Sequence, residues 1–281
     1  MTPKLSVVIP LHNEADVCRG VAAGLLYRLT TFNFDWEVVF VDAFSIDATI
    51  EQLKQLRGNQ TRLVELPKRS GQSAALWAGL ALARGEIIIT MDEDGQNDPK
   101  DIAKLLETLD DCELVVGNRH IRQDSMQKRL FSRWANLVRN SLTGSQLPDS
   151  GCGLKAFRRD TLAMLLPING MHRFIPIMVE ISGGRVVSVD VNHRPRIGGR
   201  SKYGILDRLL VPFVDCLTLA WLKRRRLPTA VLKSNAGTDV AKRTDEHRVE
   251  TTTNILNDSV SSCYEAEFHN LADADTEQAK R

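Results

Sequence analysis

The chain has 281 residues, 43% of them hydrophobic and 26% charged, with a formal net charge of +2. That is enough apolar material for one large α/β core, or a core plus an appendage. Five scattered cysteines (Cys18, Cys112, Cys152, Cys216, Cys263) lack paired metal-ligand spacing, which argues against a cysteine-held metal and for inert thiols in a reducing compartment.

Leu5 to Pro10 reads as a first buried strand, too short and too soon polar for a signal peptide, and His12-Asn13-Glu14 as the loop after it. Val17, Val21, Leu25 and Leu29 recur every four residues, which predicts a helix over 16–29 packed by one face. Trp36 to Asp42 is a second strand ending in a carboxylate, Ile50 to Leu56 begins another helix, and Leu63 to Leu66 is a short strand. Ser70-Gly71-Gln72-Ser73 opens a small-residue helix over 74–84, with Gly85 as its C-terminal cap. Ile87 to Met91 is a further strand, followed by a helix over 101–109 and a strand over 113–117. Strands alternating with helices of this length predict right-handed βαβ units and a doubly wound sheet.

The strand Ile87 to Met91 ends in Asp92-Glu93-Asp94. Ligands of open α/β sheets sit beyond the carboxyl ends of the strands, and two carboxylates flanking one residue can lean towards one hard cation. Mg²⁺ or Mn²⁺ held by one or two carboxylates keeps its other positions for water and phosphate oxygens. An Asp-x-Asp at a strand end can also be a helix cap in a solvated loop. Here Asp98, with Pro99 at the first helical position, already supplies the cap. The stretch alone leaves metal binding and a solvated loop both open.

Three loops occur in order: Val8-Ile9-Pro10-Leu11-His12-Asn13-Glu14, Val41-Asp42-Ala43-Phe44-Ser45-Ile46-Asp47-Ala48-Thr49, and Asp92-Glu93-Asp94-Gly95-Gln96-Asn97-Asp98-Pro99. Gly117-Asn118-Arg119, Asp149-Ser150-Gly151-Cys152-Gly153-Leu154-Lys155-Ala156-Phe157, His172-Arg173-Phe174-Ile175-Pro176, His193-Arg194-Pro195-Arg196 and Gly199-Arg200-Ser201-Lys202-Tyr203-Gly204 follow. Together they resemble the family 2 glycosyltransferases of GT-A fold, and within them the polyprenyl-phosphate branch typified by dolichol-phosphate mannosyltransferases. The resemblance spans about residues 5 to 226.

The resemblance implies a mostly parallel, Rossmann-like doubly wound sheet over 1–204. It implies transfer of a sugar, with inversion, from a nucleotide-diphosphate sugar to a polyprenyl phosphate. Pro10, Asn13, Glu14 and Asp42 would hold the nucleoside, with Gly71 and Gln72 near the donor. Asp92 and Asp94 would hold Mg²⁺ or Mn²⁺ on the diphosphate, with Gln96 beside them. Asp149 is the candidate base, although an ionised phosphate acceptor needs one less than a hydroxyl does. Arg119, Arg122, Arg194, Arg196, Arg200 and Lys202 are candidate phosphate clamps, because the arginine fork matches phosphate oxygens. Ser201-Lys202-Tyr203-Gly204 reads as a lid. The chain departs from the family at Ala43-Phe44, where an acidic residue and a glycine are usual, which puts the base preference in question.

From Arg194 to Arg226 nine Lys/Arg face two Asp, whereas from Ser234 to Arg281 five Lys/Arg face ten Asp/Glu. The basic segment calls for an anionic partner. Leu209 to Leu222 is too short and too interrupted, by Pro212 and Asp215, to span a bilayer. Residues 205–233 are therefore expected to form an amphipathic, basic helix at the cytoplasmic face of a membrane, peripheral and drawn to anionic lipid. The open alternative is a helix buried against the domain. Many relatives continue into membrane-spanning helices, so a spanning partner or a second copy is an expected associate. The acidic tail, 234–281, is expected to be disordered. A transferase acting on a saccharide hydroxyl would work without lipid phosphate and depend strongly on Asp149. A catalytically silent nucleotide-sugar or lipid binder would bind without turnover. Nucleic acid is not expected as a partner, since no aromatic platform accompanies the arginines.

Overall fold

The computed structural model describes residues 2–56, 58–119, 140–141, 144–195 and 210–225, all inside the unit Met1–Leu227. Two apolar runs, β1 (Leu5–Leu11) and β2 (Trp36–Asp42), are buried along their whole length. They pair in parallel, from Leu5 opposite Trp36 to Leu11 opposite Asp42. Strands covered on both faces have no solvent side, which is why their valines and isoleucines run unbroken. β3 (Thr61–Glu65) lies parallel beside β2, and β4 (Ile87–Thr90) parallel beside β1. With β5 (Leu114–Asn118), β6 (Lys155–Arg158) and β7 (Val186–Asp190) the sheet runs β3-β2-β1-β4-β6-β5-β7. β6 is antiparallel to both β4 and β5, while β7 is parallel to β5.

The helices follow the apolar periodicity. α1 (Cys18–Leu29) turns Cys18, Ala22, Leu25 and Leu29 into the core, starting two residues later than the pattern predicts. α2 (Thr49–Gln55) and α4 (Ile102–Thr108) are short, and α4 is led in by a single 3₁₀ turn, Pro99–Asp101. Asp98 caps that turn by accepting the Lys100 N–H at 3.0 Å, with Pro99 at the first position as read from the sequence.

The expectation for Gly85 is corrected. α3 (Gly71–Leu82) starts earlier than predicted and ends in an extended Ala83, so no left-handed glycine closes it. Gly85 is instead a close approach: a Cβ there would lie 2.5 Å from the Ser6 nitrogen and 2.8 Å from the Leu5 carbonyl carbon. The Gly85 N–H donates to Ser6 Oγ at 2.7 Å, Ser6 donates to Glu37 at 2.7 Å, and Arg84 grips the buried Glu37 through two donors at 2.9 and 2.7 Å. This network pins the ends of β1 and β2 remote from the site.

α5 (Met171–Ile181) carries Pro176 within it and buries Phe174, Ile175 and Ile177. α6 (Leu210–Arg225) packs against the domain through Cys216 and Leu219, yet leaves Val214, Leu217 and Trp221 exposed. Lys223, Arg224 and Arg225 complete its last turn, with the Arg225 guanidinium 5.8 Å from the Trp221 ring centre. Among the described residues no helix is long and apolar enough to cross a membrane. The remainder of 205–233, and the tail 234–281, lie outside the described residues.

Candidate active site

The carboxyl ends of the parallel strands and the amino end of β6 meet at one edge of the sheet, since Thr90 at the end of β4 pairs with Lys155 at the start of β6. The candidate residues collect along this edge. After β1, Asn13 adopts a left-handed backbone (φ 53°) and donates its N–H to Ser45 Oγ at 2.8 Å, while its side-chain oxygen accepts the Ile46 N–H at 2.8 Å. The Glu14 N–H donates to Thr49 Oγ1 at 2.9 Å, and Glu14 itself is 2% exposed. Asp42 is buried with both oxygens engaged by Ser45, one accepting its N–H at 2.8 Å and the other its hydroxyl at 2.5 Å. The first two loops are thus sewn together. Within the second, Ala43 is buried and Phe44 is half-exposed at φ 70°, a conformation that costs a bulky side chain energy.

After β4 the chain turns sharply through Gly95 (φ 75°). Asp94 accepts the Gln96 N–H at 3.1 Å, the Asp92 N–H donates to Asn97 at 3.0 Å, and Gln72 at the start of α3 donates to Asp92 at 3.2 Å. Gly71 opens that helix with φ 75°. The Asp92 carboxylate lies so close against Gly153 that a Cβ there would collide with it. Burial, then the charges of Asp92, Glu14 and Asp94, push the Glu93 carboxyl up to about 8. Such mutual repulsion is what a bound cation relieves. Among the described residues no three His, Cys, Asp or Glu side chains form a ready metal cage. Asp92 and Asp94, two carboxylates on one turn, are donors of the type that hold a hard divalent ion, whose other positions go to water and phosphate oxygens.

The other predicted cations are less available than the sequence implied. Arg119, just after β5, is clamped to Asp149 by two hydrogen bonds, Nε to Oδ2 at 2.6 Å and Nη2 to Oδ1 at 2.9 Å. Burial works against the Arg119 charge, but the Asp149 carboxylate more than offsets it and raises the guanidinium pKa. Arg194 pairs with Asp98 at 2.7 Å and donates its N–H to the Gln96 carbonyl. Next to it, His193 Nε2 lies 3.2 Å from Gln96 Nε2. Arg122, Arg196, Arg200, Ser201 and Lys202 lie outside the described residues.

Between β4, β6, α3 and α5 opens a cleft of about 190 Å³, whose lining includes Pro10, Gln72, Asp92, Lys155, His172 and Arg173. The last three stood in the quoted motifs without a role. A lysine inside the apolar run Leu154-Lys155-Ala156-Phe157 was the signal for one of them. Burial pushes the Cys152 thiol beside this cluster up to about 11, so it is inert.

A mostly parallel sheet with an Asp-x-Asp turn closing its central strand defines a glycosyltransferase of GT-A type. Residues 6–165 match the family model for glycosyl transferase family 2, and the chain belongs to that family. It is 35% identical to a dodecaprenyl-phosphate galacturonate synthase of Rhizobium johnstonii, over 79% of this chain and 68% of the relative. It is 34% identical to an undecaprenyl-phosphate 4-deoxy-4-formamido-L-arabinose transferase of Edwardsiella ictaluri, over 78% of this chain and 69% of the relative. Its fold is similar to glucosyl-3-phosphoglycerate synthase of Mycobacterium tuberculosis, solved with Mn²⁺, UDP and phosphoglyceric acid. That likeness has a TM-score of 0.60 at 19% identity and covers 80% of each chain.

Proposed function

We propose that the protein transfers a sugar from a nucleotide-diphosphate sugar to a polyprenyl phosphate. The observation that carries this reading is the Asp92–Asp94 turn at the end of β4, whose Asp92 lines the cleft, in a chain whose relatives bear the names of polyprenyl-phosphate transferases. The stitched loops at Asn13–Glu14 and Asp42–Thr49 form the edge that would receive the nucleoside. Asp92, oriented by Gln72 and Gly153, and Asp94 with Gln96 would hold a divalent ion, Mg²⁺ or Mn²⁺. Such an ion supplies charge neutralisation for the departing diphosphate. An oxygen of the lipid phosphate forms the new bond to the anomeric carbon while the bond to the diphosphate breaks, and the electron pair leaves with the nucleoside diphosphate. The sugar configuration inverts in one displacement.

Asp149 acts in this reading by holding Arg119 towards the acceptor, because both its oxygens are engaged and an ionised phosphate has no proton to give. Arg194, Arg196, Arg200 and Lys202 are the further phosphate contacts. Val214, Leu217 and Trp221 on α6, ahead of Lys223 to Arg225, suit a peripheral seat on an anionic membrane. The buried cysteines Cys18, Cys112 and Cys152, none of them in a disulfide, suit the reducing, cytoplasmic side.

Calorimetric titration of UDP, GDP and their sugar conjugates with Mn²⁺, against Asp94→Ala as control, is the test. One nucleotide should bind tightly and lose its binding in the control and with chelator, and that donor should label polyprenyl phosphate. No nucleotide binding by the folded protein would end this reading.

A further inference from the structure

We propose that Lys155, His172 and Arg173 form an oxyanion pocket in the cleft, which receives an anionic group of a substrate: the acceptor phosphate or a carboxylate on the donor sugar. This rests on the transferase reading above for the identity of the substrates, but not for the existence of the pocket.

Lys155 is 1% exposed at the start of β6, and its ammonium donates to two main-chain carbonyls, those of Cys152 and of His172, the latter at 3.2 Å. An ammonium has three donors, so one remains. Among the described residues no carboxylate comes within ion-pair distance of Lys155 or Arg173. Burial works against the Lys155 charge, and the charges of Asp92 and Asp149 offset it only in part, so an anion brought into the cleft would stabilise the ammonium further. Arg173 has a buried Nε without a hydrogen-bond partner; its charge is felt by Asp215 on α6, which has a buried oxygen without a hydrogen-bond partner.

His172 completes the donor set. Ser73 Oγ accepts the Gly170 N–H at 2.9 Å and lies 2.9 Å from His172 Nδ1, a contact that holds the ring in place. In the tautomer with its proton on Nε2, Nδ1 accepts from Ser73 and Nε2–H is left as the donor of a residue that lines the cleft. Burial, with Arg173 and Lys155 nearby, pushes the imidazole down to about 3, so it stays neutral and serves as a fixed donor rather than an acid or base.

Three donors without an acceptor do not suit a sugar hydroxyl, which both gives and takes. They suit an oxyanion, whose oxygens only accept. Asp92 is the one carboxylate of the cleft lining, and its charge reaches Lys155. Arg119 and Arg194, the cations the sequence favoured, are already paired with Asp149 and Asp98.

The test uses the full chain with Arg173→Gln and His172→Gln, both at partly exposed positions, and Lys155→Met beside them. Inorganic phosphate should raise the thermal midpoint of the parent chain, and the rise should be lost in Arg173→Gln and reduced in His172→Gln. This arm needs no nucleotide. In the second arm, UDP with Mn²⁺ should bind Arg173→Gln within about twofold of the parent. If the anion is the acceptor phosphate, KM for undecaprenyl phosphate rises at least tenfold. If it is a sugar carboxylate, UDP-glucuronate binding weakens at least tenfold and UDP-glucose binding does not. An equal phosphate shift in the parent and all folded variants would overturn the pocket, and so would equal weakening of UDP itself. A parent that binds phosphate but no nucleotide would leave the pocket standing and the transferase reading refuted.

Discussion

Asp149→Asn separates two roles for this carboxylate. Its pair with Arg119 is two-pronged, at 2.6 and 2.9 Å, with side-chain exposures of 5% and 20%. Two unit charges about 4 Å apart attract by about 4 kcal/mol at an effective dielectric of about 20. Removing one partner of a buried pair costs about 3–5 kcal/mol, chiefly because the other charge is stranded. Water reaches part of Arg119 and the amide keeps one acceptor oxygen, so about 2–3 kcal/mol is expected here. Urea unfolding of Asp149→Asn, Arg119→Gln and the double variant measures it, and the double should regain much of the loss as a coupling energy of about 2 kcal/mol. In catalysis, a positioning role predicts that KM for polyprenyl phosphate rises more than tenfold while kcat/KM keeps its dependence on pH. A general base predicts a fall in kcat of about 10²–10⁴ and loss of a limb of the pH profile. An Asp149→Asn chain as stable as the parent, slow by that factor and without the limb, would refute the positioning argument.

Gly153→Ala places a methyl on the Asp92 carboxylate, so Mn²⁺-dependent nucleotide binding should weaken at least tenfold by calorimetry while the circular dichroism spectrum is kept. Phe44→Gly removes a left-handed strain of about 1–2 kcal/mol at a residue that is half-exposed; the urea midpoint should hold or rise, and a clear fall would show that the ring packs. Gly85→Ala drives a Cβ into the backbone of β1 and should cost about 3 kcal/mol or more. Gly20→Ala, where nothing lies within 4 Å, should instead gain about 1 kcal/mol of helix stability by the same assay. His172 has its pKa lowered from 6.5 to about 3, so the unfolded chain takes up the proton first. Stability is kept above pH 6.5 and falls as pH drops towards 3, by up to about 1.4 kcal/mol per unit, and urea titrations of His172→Gln should lack that share of the slope.

The parallel half of the sheet was legible because burial on both faces leaves unbroken apolar runs, and β2 is found over the same Trp36–Asp42 that the sequence marks. The turn signals served as well at Asp98-Pro99. Gly85 misled because a glycine after a helix has two uses, a left-handed cap or a close approach, and only the neighbouring strand decides between them. β6 was missed because Lys155 and Arg158 bound only two apolar residues, and β7 because an edge strand with partly exposed residues carries a weak pattern. Asp92 and Asp94 could be named in advance since adjacent residues share a turn. That Arg119 meets Asp149, thirty residues on, or that Arg194 meets Asp98, is a fact of three dimensions that charge counting could not supply.

The direction of β6 explains why the site exists where it does. In a wholly parallel sheet, only loops that follow strands reach the carboxyl edge, and loops that precede strands lie at the far edge. An antiparallel strand inverts this, so the segment before β6, from Asp149 to Gly153, arrives beside the loops that follow β1, β4 and β5. Gly153 comes to rest on Asp92, Thr90 donates to the Gly153 carbonyl at 2.7 Å, and Lys155 enters the cleft from the strand itself. β6 also sits between β4 and β5, so it sets Arg119 one strand away from the Asp-x-Asp turn rather than against it. The Asp-x-Asp turn, the segment Asp149 to Gly153 and Lys155 are thus gathered at one edge of the sheet by the reversal of a single strand.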